Sequence, residues 1–103
     1  KDIIISGGEN ISSIEIENVL FKHKDIIDAA VVAKKDEKWG EVPCAFVTLK
    51  KNSTIKAKEI TQFCRNNMAS YKIPKNIIFG KIDKTPTGKT QKYLLRRKVN
   101  LID

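Results

Sequence analysis

The chain has 103 residues, of which 20 are Lys or Arg and 12 are Asp or Glu, giving a formal net charge of +8. This length accommodates one domain rather than two, and 41% hydrophobic residues suffice to build a core, which excludes wholesale disorder. Nine basic and two acidic residues fall in positions 72–103, so most of the excess positive charge lies in the last third of the chain.

The apolar pattern alternates between helical spacing, β-branched runs and polar connections rich in Gly or Pro. The predicted elements in chain order are a strand at 3–5, a helix at 13–23, paired strands at 26–33 and 42–50, a helix at 55–68, a strand at 76–79 and a helix at 91–99. Ser12 and Glu15 have the spacing of a capping box before the first helix. We therefore expect an α+β fold, with helices packed on a sheet of about three strands and a short N-terminal strand region.

Several classes of protein are excluded by features that the sequence lacks. No apolar run approaches the roughly 20 residues that span a bilayer, and no secretory signal opens the sequence. Cys44 and Cys64 form no CxxC pair and His23 is the single histidine, so neither a disulfide framework nor a zinc site is expected. A reducing intracellular compartment is predicted, the cytoplasm first, with the mitochondrion or a plastid left open. The chain lacks an initiator Met, which predicts that it is a piece of a longer protein.

The segment 83–92 is the part of the sequence that says most about a possible catalytic or binding residue. Its Gly88-Lys89-Thr90 ending is typical of a phosphate-binding loop, but that loop needs a glycine five positions before Gly88, where Asp83 stands. What remains is Lys89 in a turn of Pro and Gly, where a flexible ammonium can reach a developing negative charge. Spacing alone favours the alternative of a solvated basic turn.

The pair Gly7-Gly8 is similarly ambiguous when taken alone. Two glycines let a backbone approach a ligand closely, but most such pairs simply form a turn. Trp39 is predicted to be a packed loop corner, His23 a residue that packs or caps at a helix end, and Cys64 a core residue.

Ordered motifs along nearly the whole chain resemble the C-terminal domain of acyl-CoA synthetases, in the adenylate-forming superfamily. The closest likeness is to the fatty, medium-chain and plant acyl-activating branch. The segments that carry the resemblance are Lys1 to Glu17 with its Gly7-Gly8-Glu9-Asn10-Ile11-Ser12-Ser13 core, Ala29-Ala30-Val31-Val32, Trp39-Gly40-Glu41, Tyr71-Lys72, Pro74-Lys75, Lys84-Thr85, Thr87-Gly88-Lys89 and Gln91-Lys92.

The resemblance implies an enzyme that joins a carboxylate to ATP, releases pyrophosphate, and then lets coenzyme A displace AMP. Lys89 matches the family's adenylation lysine, whose ammonium bridges the carboxylate and the α-phosphate. After a domain rotation, Gly7 and Gly8 would line the channel for the pantetheine arm of coenzyme A, with Gly8 the stronger candidate. Lys1 falls at the family's hinge position, where it would also touch the adenylate phosphate.

The resemblance further implies that residues 1–103 form the mobile C-terminal domain, beginning at the hinge. Its partner would be the protein's own large N-terminal domain, which would bind the carboxylic acid, ATP and the accompanying Mg²⁺. The isolated fragment is expected to fold but to be inactive. Lys72, Lys75 and Lys84 are candidates for contacts with nucleotide phosphates, without individual assignments, and Lys89 is a candidate for acetylation.

An alternative from a different class is a basic nucleic-acid-binding or regulatory module, because the charge of the last third would suit a polyanion. Few aromatic residues and no recognised nucleic-acid signature accompany that charge, so neither nucleic acid nor a membrane is expected as a partner. The final residues do not match a peroxisomal Ser-Lys-Leu signal. The identity of the carboxylic acid is not encoded in this chain.

Overall fold

The computed structural model describes residues 2–100, which form one sheet with helices on both of its faces. The elements in chain order are β1 (Ile3–Ser6), β2 (Glu9–Ser12), α1 (Ser13–Leu20), β3 (Ile26–Asp36), β4 (Gly40–Leu49), α2 (Ala57–Arg65), a 3₁₀ turn (Ser70–Lys72), β5 (Asn76–Phe79) and α3 (Lys92–Asn100). The predicted α+β class is confirmed.

Five strands form the sheet, in the order β2-β1-β4-β3, with β5 beside β4. The long antiparallel pair of β3 and β4 is its centre, and β5 runs parallel to β4 from Asn76 to Phe79. The three main predicted strands are thus present, but the sheet is larger than the predicted three strands. The N-terminal strand region joins it, because Ser6 of β1 pairs with Gly40 of β4.

The polar residues Ser6 to Asn10 predict a loop after the first strand, and this prediction is wrong for Glu9 and Asn10. Residues 9–12 form β2, which pairs with β1 in antiparallel register from Ser6 opposite Glu9 to Ile3 opposite Ser12. Ile4 and Ile11 face each other in that register and are both fully buried, which explains why the segment pairs in spite of its polar composition.

Apolar side chains pack against both faces of the sheet and form a separate hydrophobic core on each face. The first core contains the hairpin of β1 and β2 together with α1 and α2, through Ile4, Ile11, Ile16, Leu20, Ala29, Val31, Ala45, Val47, Ile60 and Cys64 among others. The second core contains Ala30, Val32, Cys44, Phe46, Ile82 and Leu95. Successive residues of β3 and β4 alternate between the two cores because strand side chains point to opposite faces.

The helix ends differ from their predicted positions by a few residues. The predicted cap of α1 is confirmed, because the Ser12 hydroxyl accepts a hydrogen bond from the Glu15 N–H at 3.2 Å. The helix ends at Leu20 rather than at residue 23, since the Lys22 and His23 N–H groups bond to carbonyls three residues back. His23 lies beyond it, where its Nδ1 accepts from the Asp25 N–H and its ring packs edge-on against Phe63, as its predicted packing role requires. Within residues 2–100, no helix is both long and apolar enough to cross a membrane.

Candidate functional site

Lys89 is held in a short hairpin loop, here called the lysine loop (residues 83–91). Lys84 and Thr90 form an isolated antiparallel bridge, and the Thr85 N–H donates to the Lys89 carbonyl at 2.7 Å. Pro86 occupies the second position of a turn closed by the Gly88 N–H on the Thr85 carbonyl at 2.8 Å, and Gly88 has φ +90°. A turn followed by a glycine in the left-handed region is a standard three-residue hairpin, so the local sequence dictates this loop.

The Lys89 side chain is exposed, and its ammonium has no hydrogen bond or ion pair with any residue in 2–100. Its backbone is fixed, because the Lys89 N–H donates to the Thr85 hydroxyl at 3.1 Å. The loop therefore presents an uncompensated positive charge on an ordered backbone. Such a group can stabilise negative charge supplied from outside this domain.

Lys84 and Lys92, which lie on either side of Lys89 in the sequence, both form ion pairs with acidic side chains of this domain. The Lys84 ammonium lies 2.8 Å from Asp28 Oδ2 on β3 and donates to the Thr90 hydroxyl at 3.1 Å. The Lys92 ammonium lies 2.6 Å from Glu17 Oε2, and that oxygen also accepts from the Val31 N–H. The lysines of the motif thus differ in role, since Lys89 alone of these three projects a free charge.

The Gly7-Gly8 pair forms the two-residue turn of the hairpin between β1 and β2, here called the glycine loop (residues 6–9). Ser6 and Glu9 pair across it, and φ is +57° at Gly7 and +84° at Gly8. Positive φ at both central positions is the requirement of a type I′ hairpin turn. The turn therefore explains both glycines locally, without reference to a ligand.

The surroundings of the two glycines differ. A Cβ on Gly7 would lie 2.6 Å from Cε3 of the Trp39 ring, and the Gly7 N–H donates to the Trp39 carbonyl at 2.8 Å. A Cβ on Gly8 would meet nothing within 4 Å. Gly7 is thus required by packing inside this domain, whereas the space over Gly8 is open to something outside it.

Trp39 was predicted to be a packed loop corner, and the structure adds that it borders the glycine loop. The Trp39 N–H donates to Asp36 Oδ2 at 2.9 Å, which fixes the turn between β3 and β4. A cavity of about 120 Å³ opens beside the ring; it is lined by Ser6, Gly7, Glu9, Trp39, Tyr71 and Lys75. Sequence reasoning missed Tyr71 and Trp39 as neighbours of Gly7, because they are 64 and 32 residues away along the chain.

The two loops lie at opposite ends of β3. Asp28, near the start of β3, holds the lysine loop through Lys84, and Asp36, at the end of β3, holds the Trp39 turn that contacts Gly7. The two aspartates are eight positions apart along the strand, a distance of about 26 Å at roughly 3.3 Å per residue. The anchors of the two loops also face different cores, since Ile82 packs in the second core and Ile4 and Ile11 pack in the first.

The remaining basic candidates occupy different surroundings. The Lys72 ammonium contacts both Glu15 carboxylate oxygens, at 2.9 and 3.1 Å, and this hydrogen bonding raises the pKa of Lys72. The Lys75 side chain is exposed and lines the cavity at the glycine loop. Lys1, the predicted hinge residue, lies outside the described residues.

Neither cysteine has the environment of a reactive thiol. Cys44 lies in the second core and Cys64 in the first, and burial raises the pKa of each to about 11. Within residues 2–100, no group of three His, Cys, Asp or Glu side chains is placed to hold a metal ion. The described part of the chain therefore offers a free lysine and a glycine-lined cavity rather than a metal centre or a nucleophile.

A further groove of about 360 Å³ runs along one side of α3 and is lined by Tyr93, Arg96, Arg97 and Asn100. These residues follow helical spacing on a single element. The Asn100 side-chain amide is hydrogen-bonded to β3: its NH₂ group donates to the Ala33 carbonyl, and its oxygen accepts from the Lys35 N–H. The groove does not join the lysine loop and the glycine loop into one site.

Comparison with known proteins agrees with the resemblance drawn from the motifs. The profile described as "AMP-binding enzyme C-terminal domain" matches residues 15–89. An acetate–CoA ligase of Humulus lupulus is 53% identical over 103 residues, covering 95% of this chain and 18% of the ligase. A 2-methylpropanoate–CoA ligase of the same plant is 56% identical over 99 residues, covering 93% of this chain and 18% of the ligase.

Solved structures give the same result for the fold. A fatty acyl-CoA synthetase of Mycobacterium tuberculosis superposes with a TM-score of 0.90 and 40% identity, covering 97% of this chain and 20% of that protein. An o-succinylbenzoate-CoA synthetase of Bacillus subtilis, solved with its acyl-adenylate intermediate, superposes with a TM-score of 0.85 and 36% identity, covering 92% of this chain and 19% of that protein. The chain thus spans about a fifth of the length of the relatives that it matches.

Proposed function

Because the chain belongs to the AMP-binding enzyme C-terminal domain family, we propose that it is the mobile C-terminal domain of an ATP-dependent acid–CoA ligase. The proposed domain comprises residues 1–103. Its partner is the protein's own N-terminal adenylating domain, and the substrates of the whole enzyme are a carboxylic acid, ATP and coenzyme A. The isolated chain is expected to have no ligase activity, since the lysine loop and the glycine loop are each only one side of a site.

Lys89 acts in the first half-reaction, in which the carboxylate attacks the α-phosphate and pyrophosphate leaves. Negative charge accumulates on the oxygens of both groups as they approach. An ammonium placed between them lowers the barrier, because it attracts the transition state more strongly than the separated substrates. The exposed, unpaired Lys89 charge on an ordered loop supports this role.

The glycine loop acts in the second half-reaction, in which the thiol of coenzyme A attacks the acyl carbon and AMP leaves. The pantetheine arm is a thin chain, so it fits a channel whose wall carries no side chains. The open space over Gly8 supports this placement, and the cavity between Trp39 and Tyr71 offers apolar surface beside it. Gly7 contributes indirectly, by letting Trp39 close against the turn.

The observation that carries the proposal is the placement of the two loops at opposite ends of β3. A rigid domain with anchors about 26 Å apart cannot present both loops to one bound adenylate. The domain therefore turns between the half-reactions, first with Lys89 and then with Gly8 at the acyl group. Lys1, by its position in the motif, is proposed as the hinge residue and as a contact for the adenylate phosphate.

Mg²⁺ is proposed to enter with ATP and to be bound by the N-terminal domain. The described residues of this chain form no ligand set for it, so no step here is assigned to the ion.

The motif also makes Lys89 a candidate for acetylation, which would remove the charge that adenylation needs. The alternative of a nucleic-acid-binding module receives no support from the family match or from the relatives.

We propose a reducing compartment, because Cys44 and Cys64 are both free thiols in the structure. The cytoplasm is the first candidate, and the mitochondrion and plastid follow. An acetate/butyrate–CoA ligase of Arabidopsis thaliana and a trans-cinnamate:CoA ligase of Petunia hybrida are named as peroxisomal, so the peroxisome is a further candidate. Imaging of the full-length protein with a fluorescent tag at each end in turn decides among them.

The full-length protein tests the proposal, with acetate and 2-methylpropanoate as the first acids because two relatives are named for them. Lys89→Ala should lower carboxylate-dependent pyrophosphate exchange by about 100- to 1000-fold, the usual cost of losing a transition-state charge contact. Thioester formation from preformed acyl-adenylate should persist, because that step uses the other face of the domain. Lys81→Ala is the matched control, since it removes an exposed charge from the segment before the loop. Unchanged pyrophosphate exchange in Lys89→Ala would contradict the assignment.

A further inference from the structure

The lysine loop forms most of its hydrogen bonds among its own residues. Its backbone hydrogen bonds run from Thr85 to Lys89, from Gly88 to Thr85 and from Gln91 to Asp83, and its hydroxyl contacts join Thr85 to Thr87. These bonds begin and end between residues 83 and 91, and they fix the shape of the loop but not its orientation relative to the sheet. At its C-terminal end the loop is also joined to α3, because the Gln91 carbonyl accepts from the Leu94 and Leu95 N–H groups at 3.1 and 3.4 Å.

One polar side-chain contact joins this unit to the rest of the described domain. The Lys84 ammonium lies 2.8 Å from Asp28 Oδ2 and donates to the Thr90 hydroxyl at 3.1 Å. Lys84 and Thr90 are the bridged pair at the stem of the loop. One ammonium thus ties both strands of the stem to β3, five residues before the free ammonium of Lys89.

The buried apolar residues on either side of the lysine loop do not determine its orientation, so the ion pair of Lys84 with Asp28 matters. Ile82 and Leu95 are buried in the second core, but twelve residues of chain lie between them, and the loop in that segment is mostly exposed. Those anchors fix where the loop leaves the domain and not the direction in which its tip points. The ion pair of Lys84 with Asp28 acts on the stem itself and so sets that direction.

We infer that Lys84 and Asp28 are positioning residues for adenylation, and that their ion pair holds the lysine loop in the orientation that brings Lys89 to the reacting carboxylate. The inference rests on the proposed function, in which Lys89 stabilises the adenylation transition state. Neither Lys84 nor Asp28 touches substrate in this assignment. Misplacing a catalytic group by about 1 Å can cost up to about 100-fold in rate, so a tether of this kind has a measurable effect.

The ion pair of Lys92 with Glu17 has a different character. Its side chains are 19% and 12% exposed, and Glu17 also accepts from the Val31 N–H, so it belongs to the packing of α1, β3 and α3. Lys84 and Asp28 are 35% and 22% exposed and join only the loop to the sheet. Loss of the Lys84 pair should therefore disturb the loop without unfolding the domain.

The experiment measures both half-reactions of the full-length protein in Lys84→Met, Asp28→Asn and the double variant. We expect each single variant to lower kcat for pyrophosphate exchange about tenfold, with KM for ATP and thioester formation from acyl-adenylate changed less than about twofold. The double variant should be no worse than either single one, because both break the same contact. Lys84→Arg should restore most of the rate, and the melting temperature should stay within about 2 °C of wild type.

Three outcomes would overturn the inference. Wild-type exchange in Lys84→Met would show that the tether is not needed. Equal losses in both half-reactions with a lower melting temperature would show a purely structural pair, for which Lys92→Met supplies the reference. A raised KM for ATP in Lys84→Met, with no loss in Asp28→Asn, would show that Lys84 contacts phosphate directly. Failure of the proposed function itself is recognised separately, because Lys89→Ala would then retain exchange.

Discussion

The glycine loop and the lysine loop are both hairpin turns, but they are held in opposite ways. The glycine loop is fixed from outside, by the Trp39 ring against Gly7 and by a backbone hydrogen bond between those residues. The lysine loop is fixed mainly by bonds among its own residues, and within residues 2–100 the Lys84 ammonium makes the one polar side-chain contact that joins it to the sheet.

This difference matches the role proposed for each loop. A channel wall must keep its shape and carry no side chain, so it benefits from a rigid ring behind it. A charge that has to meet an incoming phosphate must be ordered but exposed, so it benefits from a compact loop that projects from the sheet. The two designs predict different responses to the same kinds of substitution.

The largest contrast should come from Gly8→Leu and Gly88→Leu in the full-length protein. The two glycines have nearly equal φ, +84° and +90°, and a Cβ on either would meet nothing within 4 Å, so the local strain is matched. Gly8→Leu should slow thioester formation by at least about tenfold. The rate of adenylation should change by less than about threefold. Gly88→Leu should do the reverse, because it disturbs the loop of Lys89.

The measurement is pyrophosphate exchange beside thioester formation from preformed acyl-adenylate. Equal losses in the two assays for either variant would contradict the proposal that each loop serves one half-reaction. Gly8→Ala serves as the intermediate case, since it adds the backbone strain with little bulk.

A smaller effect, on stability, should separate Gly7 from Gly8. Gly7→Ala places a Cβ 2.6 Å from the Trp39 ring and should lower the free energy of unfolding by about 1 to 3 kcal/mol, the usual range for overpacking. Gly8→Ala adds only the cost of a positive φ, about 1 kcal/mol. Urea unfolding of the 103-residue chain measures both. A larger loss for Gly8→Ala would show that the Trp39 contact is not what constrains the turn.

The two cysteines report on the two cores that carry the loops. With the pKa of each thiol raised to about 11, only about one molecule in a thousand is a thiolate at pH 8, so labelling of the native chain should be slow. Gly7→Ala should accelerate labelling of Cys64, in the core of the glycine hairpin, about tenfold more than labelling of Cys44. Mass spectrometry of the labelled peptides distinguishes them. Equal acceleration would mean that the two cores open together.

The smallest effect should come from Glu15→Gln, which breaks the exposed pair with Lys72 and touches neither loop. Because hydrogen bonding to Glu15 raises the pKa of Lys72, the pair stabilises the fold below pH 10.5 and loses that contribution as the pH rises through the raised pKa. The stability difference between wild type and Glu15→Gln should therefore be small at pH 7 and vanish in stronger alkali. Thermal melts across that pH range measure it, and a difference that grows with pH would contradict the sign.

Local spacing predicted much of the fold, whereas the residues of the candidate site were predicted from the motifs that resemble the family. The capping box at Ser12, the helical stripes and the β-branched runs each act within a few residues, so their elements were placed to within a turn or less in most cases. The lysine loop was predicted as a turn for the same reason, since Pro86 and Gly88 fix its backbone almost alone. Strand β2 was missed because its pairing depends on Ile4 and Ile11 meeting in a core, which spacing does not show.

The sequence by itself determined the α+β class, the family and the candidacy of Lys89, Gly7 and Gly8, since short-range pattern and motif carry that information. Only the tertiary structure decided that Trp39 packs on Gly7, that Lys84 is tied to Asp28 while Lys89 is free, and that the two loops lie at opposite ends of β3. The reason is physical: those contacts join residues 32 and 56 positions apart, and they form only when the sheet brings distant segments together.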